Sequence, residues 1–190
     1  MLPITLASRS PRRRELLAML VPNDAIVVRP PSDAEEDPLD HLAGEADLAA
    51  RLAAIVTKKA DLVAAATSPA RLLAADTTVI AGDGLDSLGQ PADDAEAAAF
   101  LKRLSGRPHR VITAVELREG GRTHRGLVTT TVRFRELSDS MIDWYVGTGE
   151  PLGKAGGYAI QGAGSVLVAA VEGSLSNVIG LPLEWLRDRV

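Results

Sequence analysis

Asp76 is the first residue that invites a chemical reading. It stands in Leu72-Leu73-Ala74-Ala75-Asp76-Thr77-Thr78-Val79-Ile80-Ala81, a run that reads as a buried strand interrupted by three polar side chains. A carboxylate in apolar surroundings is costly unless it is ion-paired, metal-bound, protonated or exposed at a strand end. An aspartate of a strand-end turn, bonded to its own backbone, is the plainer alternative. Thr77 and Thr78 add hydroxyls that could contact a ligand, though threonine is also an ordinary strand residue.

A second candidate is Ser8-Arg9-Ser10-Pro11-Arg12-Arg13-Arg14, which puts four arginines into six residues of a chain whose net charge is -4. Ser10 suits a helix N-cap and Pro11 the first helical position. The arginines then crowd the first turn, where cations oppose the macrodipole. A bound anion reverses that conflict, because backbone N–H groups and guanidinium groups converge on it. The alternatives are a solvated charged face, a targeting tag and a nucleic-acid arm.

The third stretch is Gly149-Glu150-Pro151-Leu152-Gly153-Lys154-Ala155-Gly156-Gly157-Tyr158-Ala159-Ile160-Gln161-Gly162. Its glycines allow close approach of backbone to a ligand, and the Gln161 amide can pair with a base edge or bridge to a phosphate. A plain flexible loop is the competing reading. The alternation through Tyr158, Ile160 and Gln161 is too apolar for a free linker.

Composition narrows the chemistry. Without cysteine there are no disulfides, thiolate metal sites or cysteine nucleophiles. His41, His109 and His124 match no zinc spacing, so any metal is expected to be a hard cation on oxygen ligands. Walker A, complete G-x-G-x-x-G, G-x-S-x-G and H-E-x-x-H motifs are absent. Few aromatics and an acidic balance disfavour stable nucleic-acid binding. No apolar run approaches the roughly 20 residues of a membrane span, and the short apolar start does not fit a signal peptide. A cytoplasmic setting is expected.

The elements that must position these residues can be read coarsely. At 190 residues and 46% hydrophobic, one domain over 1–190 is expected. Residues 2–7 predict a buried strand, followed by the helix that Ser10 caps. A short strand covers 25–28, and an acidic loop runs from Ser32 to Asp40. The spacing predicts a helix over 45–66, with Lys58 and Lys59 near its centre. The Asp76 strand covers 72–81, a loop or hairpin turn 82–89, and a helix 93–104. Strands over 111–117 and 127–134 meet around Gly120-Gly121. Ser138 caps a short helix to Tyr145, a strand follows over 166–171, and a last helix runs from Pro182 to the end. The mixture predicts an α/β fold with a mixed sheet flanked by helices.

With these pieces in place, the chain resembles the Maf family of nucleoside triphosphate pyrophosphatases nearly end to end. The resemblance rests on Leu6-Ala7-Ser8-x-Ser10-Pro11-Arg12-Arg13, on Ala75-Asp76-Thr77, and on Leu104-Ser105-Gly106 with Val111-x-Thr113-Ala114-Val115. Glu150-Pro151, Lys154-Ala155-Gly156-Gly157-Tyr158-x-Ile160-Gln161-Gly162 and Asn177-Val178-Ile179-Gly180-Leu181-Pro182-Leu183 extend it.

The resemblance implies two lobes with a central cleft, in a fold like that of inosine triphosphate pyrophosphatase. It implies hydrolysis of a nucleoside triphosphate to the monophosphate and pyrophosphate with Mg2+, Mn2+ or Co2+. Asp76 matches the family's general base, and Arg12, Thr77 and Gln161 match positions tied to substrate choice. The lysine loop is similar to the branch acting on dTTP and UTP. The implied site has Ser8, Ser10, Arg12, Arg13, Lys59 and Lys154 on the triphosphate, with Lys58 a near alternative to Lys59. Either Glu45 or Glu150 joins Asp76 on the cation.

Gln90 stands where the family usually has lysine, and Gly153 where it often has aspartate. The expected partners are the nucleotide and a second copy of the chain. The other readings are a 7-methyl-GTP-type or broad-specificity pyrophosphatase, and a nucleotide-binding regulator of septum formation with little catalysis.

Overall fold

The computed structural model describes residues 2–32, 39, 41–82 and 84–190. Most of the expected acidic loop between Ser32 and Asp40 lies outside the described residues.

Strand β1 (Ile4–Ala7) is buried along its whole length. Helix α1 (Pro11–Leu17) follows, and the Ser10 side chain accepts the Arg13 N–H as its cap. Leu16 and Leu17 bury one face of it. A single 3-10 turn leads into β2 (Ile26–Val28). Helix α2 (Glu45–Thr67) buries Leu48, Leu52, Ile55, Val56, Lys59, Ala60 and Val63, a stripe at helical spacing with one lysine in it. Glu45 and Asp47 sit in its first turn, where they favour the macrodipole.

Strand β3 (Arg71–Ala81) carries Asp76, and β4 (Asp86–Leu88) folds back on it with Val79 opposite Leu88. Helix α3 (Asp94–Leu104) is capped by Asp93, and α4 (Asp139–Val146) by Ser138. Strands β5 (Pro108–Glu119) and β6 (Arg122–Phe134) are joined only by Gly120-Gly121. These two glycines have φ of 55° and 76°, the left-handed pair that a two-residue hairpin turn demands. So tight a turn lets both strands run up to it, beyond the expected 111–117 and 127–134.

Strand β7 (Val168–Glu172) starts later than the expected 166, because the 3-10 turns of Gly162–Leu167 take up the first two positions. Short helices α5 (Leu175–Ile179) and α6 (Leu183–Arg187) close the chain. The expected last helix therefore ends at Arg187 instead of reaching the terminus, and α5 was not anticipated.

The seven strands form one mixed sheet in the order β2-β1-β3-β5-β6-β7, with β4 on β3. Strand β1 is parallel to both neighbours: Ile4 faces Ile26, and Ala7 faces Ala74.

The chain divides into two compact units. The first comprises Met1–Asp76, Thr113–Val128 and Gly180–Val190; the second comprises Thr77–Ile112 and Thr129–Ile179. Leu6, Leu17, Leu52 and Leu72 are buried in the first, and Leu101, Phe134, Tyr145, Tyr158 and Leu167 form the core of the second. Among the described residues, no helix is long and apolar enough to cross a membrane.

Candidate active site

In the first unit the chain leaves β1 for β2 on one side and later returns to β3 on the other. Strand order therefore reverses at β1, and in open α/β sheets ligands bind outside the carboxyl ends of strands at such a point. Ala7 pairs with Ala74 in parallel register. Ser8 thus leaves the end of β1 beside the stretch of β3 that carries Asp76, two residues beyond the pair. Ser8, where the arginine turn begins, and the aspartate, 68 positions apart in sequence, are thereby brought together, the turn at the end of β1 and Asp76 within the longer β3 beside it.

The turn is internally organised. Ser8 is buried, and its Oγ accepts the Ser10 N–H at 3.1 Å and Arg13 Nη1 at 3.4 Å. Arg13 Nε also donates to the Gly180 carbonyl at 2.8 Å. Arg13 therefore braces the turn against the segment that opens α6. Arg12 is half-buried and makes no hydrogen bond or ion pair among the described residues. Arg9 and Arg14 are exposed, and Arg9 donates to the Pro31 carbonyl at 3.4 Å.

Asp76 and Lys59 are each 8% exposed, and Lys59 Nζ donates to Asp76 Oδ1. The geometry resolves the open question about Asp76: it is an ion-paired carboxylate in the sheet, not a turn residue. It also separates the two lysines, since Lys58 is exposed on α2 and Lys59 is buried. Glu45 lies in the first turn of α2.

In the second unit Thr77 follows Asp76 along β3, with its side chain on the opposite face by strand alternation. The glycine-rich stretch is not a flexible linker. Gly156 N–H donates to the Gly89 carbonyl at 2.9 Å, Ala159 N–H to Tyr145 Oη at 3.0 Å, and Ala163 and Gly164 N–H to Glu150 at 3.2 and 2.8 Å. Gln161 is exposed, and Lys154 Nζ bonds the Leu152 carbonyl at 3.3 Å. Gln90, the replacement for the family's lysine, is exposed beside Gly89.

Two buried polar clusters escaped the sequence reading. His109 Nε2 lies 2.9 Å from Tyr158 Oη, and both rings make edge contacts with Phe134. Burial pulls the His109 imidazole down to about 4, only partly offset by the Arg107 backbone, and pushes the Tyr158 phenol up. Glu116 is fully buried; its carboxylate accepts Thr57 Oγ1 at 2.7 Å, Arg125 Nε at 2.7 Å and Arg118 Nε at 2.6 Å. Burial works to raise Glu116, but these three donors outweigh it and hold the carboxyl below its usual range. The signal that singled out Asp76, a carboxylate within an apolar strand, is present equally at Glu116.

Among the described residues no three His, Asp or Glu side chains gather as a metal cage. Glu150 has its two oxygens on backbone N–H groups. An oxygen-seeking hard cation, were one bound here, would have Asp76 as its protein carboxylate and would depend on substrate oxygens and water for the rest of its ligands.

A mixed α/β sheet with a buried lysine–carboxylate pair at the strand-order reversal is the class of protein these features define. The chain belongs to the Maf-like protein family, whose family model matches residues 3–190. It is 52% identical over 181 residues to a Myxococcus xanthus protein named dTTP/UTP pyrophosphatase, covering 95% of this chain and 87% of that protein. Proteins of the same name from Moorella thermoacetica and Pyrococcus furiosus are 45% and 42% identical, over 97% and 95% of this chain and 92% and 90% of theirs. A HAM1 protein from Coxiella burnetii superposes on 70% of this chain and 73% of its own, with a TM-score of 0.43 and 19% identity.

Proposed function

We propose that this chain is a nucleoside triphosphate pyrophosphatase that hydrolyses dTTP and UTP to the monophosphate and pyrophosphate. The observation that carries this reading is identity of up to 52%, over 95% of the chain, to proteins of that name. The site's chemistry agrees with it. Phosphoanhydride hydrolysis needs charge neutralisation, alignment and an activated water more than covalent chemistry.

Ser8 and Ser10 shape the phosphate turn, Arg12 supplies a guanidinium that has no partner among the described residues, and Arg13 braces the turn and adds charge. Lys59 orients the Asp76 carboxylate and offsets the cost of burying it. Asp76 takes a proton from the water that attacks the α-phosphorus, and pyrophosphate leaves. A divalent cation, when bound at Asp76, neutralises phosphate oxygens and polarises the anhydride. Lys154 adds charge, while Thr77 and Gln161 discriminate the nucleoside. The reading fits a cytoplasmic nucleotide-pool enzyme, with a homodimer as the assembly to look for by light scattering.

The test is a panel of nucleoside triphosphates with pyrophosphate detection in Mg2+, Mn2+ and Co2+. Release from dTTP and UTP above all others supports the reading. Preference for 7-methyl-GTP overturns the substrate assignment, and tight binding without release of pyrophosphate overturns the activity.

A further inference from the structure

Ile160-Gln161-Gly162 forms an arch held at both ends. On one side the Ala159 N–H donates to Tyr145 Oη at 3.0 Å, and Tyr145 is fully buried. On the other the half-buried Glu150 carboxylate accepts the Ala163 and Gly164 N–H groups at 3.2 and 2.8 Å, one on each oxygen. Gly162 has φ of 77°, and a Cβ built there would stand 2.3 Å from Glu150 Oε1. A Cβ on Gly164 would stand 2.2 Å from the Ala159 carbonyl and 2.8 Å from Tyr145 Oη, so the two ends of the arch close on each other. The exposed Gln161 is therefore presented from a backbone with little room to shift.

We propose that Glu150 is a positioning residue for substrate choice. Through the Ala163 and Gly164 amides, and together with Tyr145, it fixes the arch from which Gln161 meets the nucleobase. The proposal rests on the pyrophosphatase reading for the role of Gln161, and it gives the Glu150 carboxylate a partner other than a cation. A carboxylate supplies two acceptors to two donors here. Glutamine supplies one, and its NH2 would face a backbone N–H, so Glu150→Gln releases one end of the arch without changing side-chain size.

The experiment uses the full chain with Glu150→Gln and, as a second variant, Tyr145→Phe, which keeps the buried ring and removes the other acceptor. Amide hydrogen exchange is followed at Ala163 and Gly164, and steady-state kinetics are measured with dTTP, UTP, dATP and dGTP. In Glu150→Gln, protection should fall at least tenfold at whichever of the two amides faces the NH2 group. KM for dTTP should rise about tenfold with kcat held within about threefold, and preference for dTTP over the purine nucleotides should narrow, because a loosened contact costs binding and discrimination more than chemistry. Tyr145→Phe should narrow the same preference.

Wild-type exchange at Ala163 and Gly164 in Glu150→Gln overturns the anchor. Lost protection with unchanged nucleotide preference overturns the specificity role. A fall in kcat at constant KM that extra Mg2+ restores overturns the proposal in favour of a metal ligand. Absence of pyrophosphate release by the wild-type chain overturns the pyrophosphatase reading and the specificity role together, and the exchange data show separately whether the anchor holds.

Discussion

Lys59 Nζ bonds Oδ1 of Asp76, joining the buried stripe of α2 to the strand beside β1. A lysine in an apolar helix stripe and an aspartate in an apolar strand are each unfavourable alone. Together they form a pair that the fold can bury, with one carboxylate oxygen engaged by the ammonium. The pair also explains why the neighbouring Lys58, exposed one position earlier, cannot substitute.

Asp76→Asn should leave the fold intact and reduce turnover of dTTP by ~10²–10⁴, the usual worth of a positioned general base. The amide keeps the shape and can still accept from Lys59, but it cannot take a proton. Circular dichroism and pyrophosphate release check this together. Retention of full activity by a folded variant would remove Asp76 from the chemistry.

Lys59→Met should destabilise the protein by about 3 kcal/mol, because breaking a buried pair strands the remaining charge. The double variant Lys59→Met, Asp76→Leu should recover much of that loss while remaining inactive. Urea denaturation of wild type, both single variants and the double variant forms the cycle. Additive losses would mean that the two side chains do not stabilise each other.

Much of this site was legible in the sequence, and the reason is local chemistry. Ser10 and Pro11 announce the start of α1, and Asp76 stands out against an apolar run. Glu116 shows where such reasoning stops. It gives the same signal as Asp76, yet it is spent on Thr57, Arg118 and Arg125, partners up to 59 residues away. A carboxylate's partners are set by topology, which periodicity does not encode. The loop around Gln161 is a mixed case: its apolar alternation already spoke against a free linker, but that Tyr145 and Glu150 are the groups holding its backbone is again a matter of topology. The end of the chain was overextended because Pro182 marks a helix start, while nothing local marks its stop at Arg187.

Arg12 and Arg13, at the start of α1, should separate in their effects. Arg13→Ala loses the bond to the Gly180 carbonyl and should cost about 1 kcal/mol of stability as well as activity. Arg12→Ala has no internal bond to lose among the described residues, so its melting temperature should stay within about 1 °C of wild type, while KM rises about tenfold or more. Thermal melts and dTTP kinetics on both variants decide. A reversed pattern would exchange their roles.

His109 predicts a pH dependence with a definite sign. Its imidazole is lowered from 6.5 to about 4 by burial, so between these values the unfolded chain binds a proton that the native one refuses. Its contribution is complete above about pH 6.5 and is lost as pH falls toward 4, by roughly 3 kcal/mol in all. Glu116, held below its ordinary 4.5, loses its contribution only at still lower pH, so the interval from 6.5 to 4.5 isolates the histidine. His109→Gln can still accept from Tyr158 and does not titrate. Its unfolding free energy should be lower at pH 7 but nearly flat across that interval, and a wild-type slope in the variant would assign the dependence elsewhere.

Gln90→Lys tests whether a charge can be restored at an exposed position beside an ordered loop. Gly89, its neighbour, accepts the Gly156 N–H at 2.9 Å, so position 90 is tied to the segment that carries Lys154. A lysine there would reach into solvent next to the glycine-rich stretch, where it could meet a phosphate without displacing any buried group. Because the position is exposed, screening limits the gain: about threefold in kcat/KM for dTTP, or ~0.7 kcal/mol, is expected at low salt, shrinking as salt is raised. The stability of the variant should match wild type, since Gln90 buries nothing. A salt titration of kcat/KM for both proteins separates electrostatic assistance from a change of fold. An unchanged or lower kcat/KM at low salt would mean that position 90 does not face the phosphates in this chain.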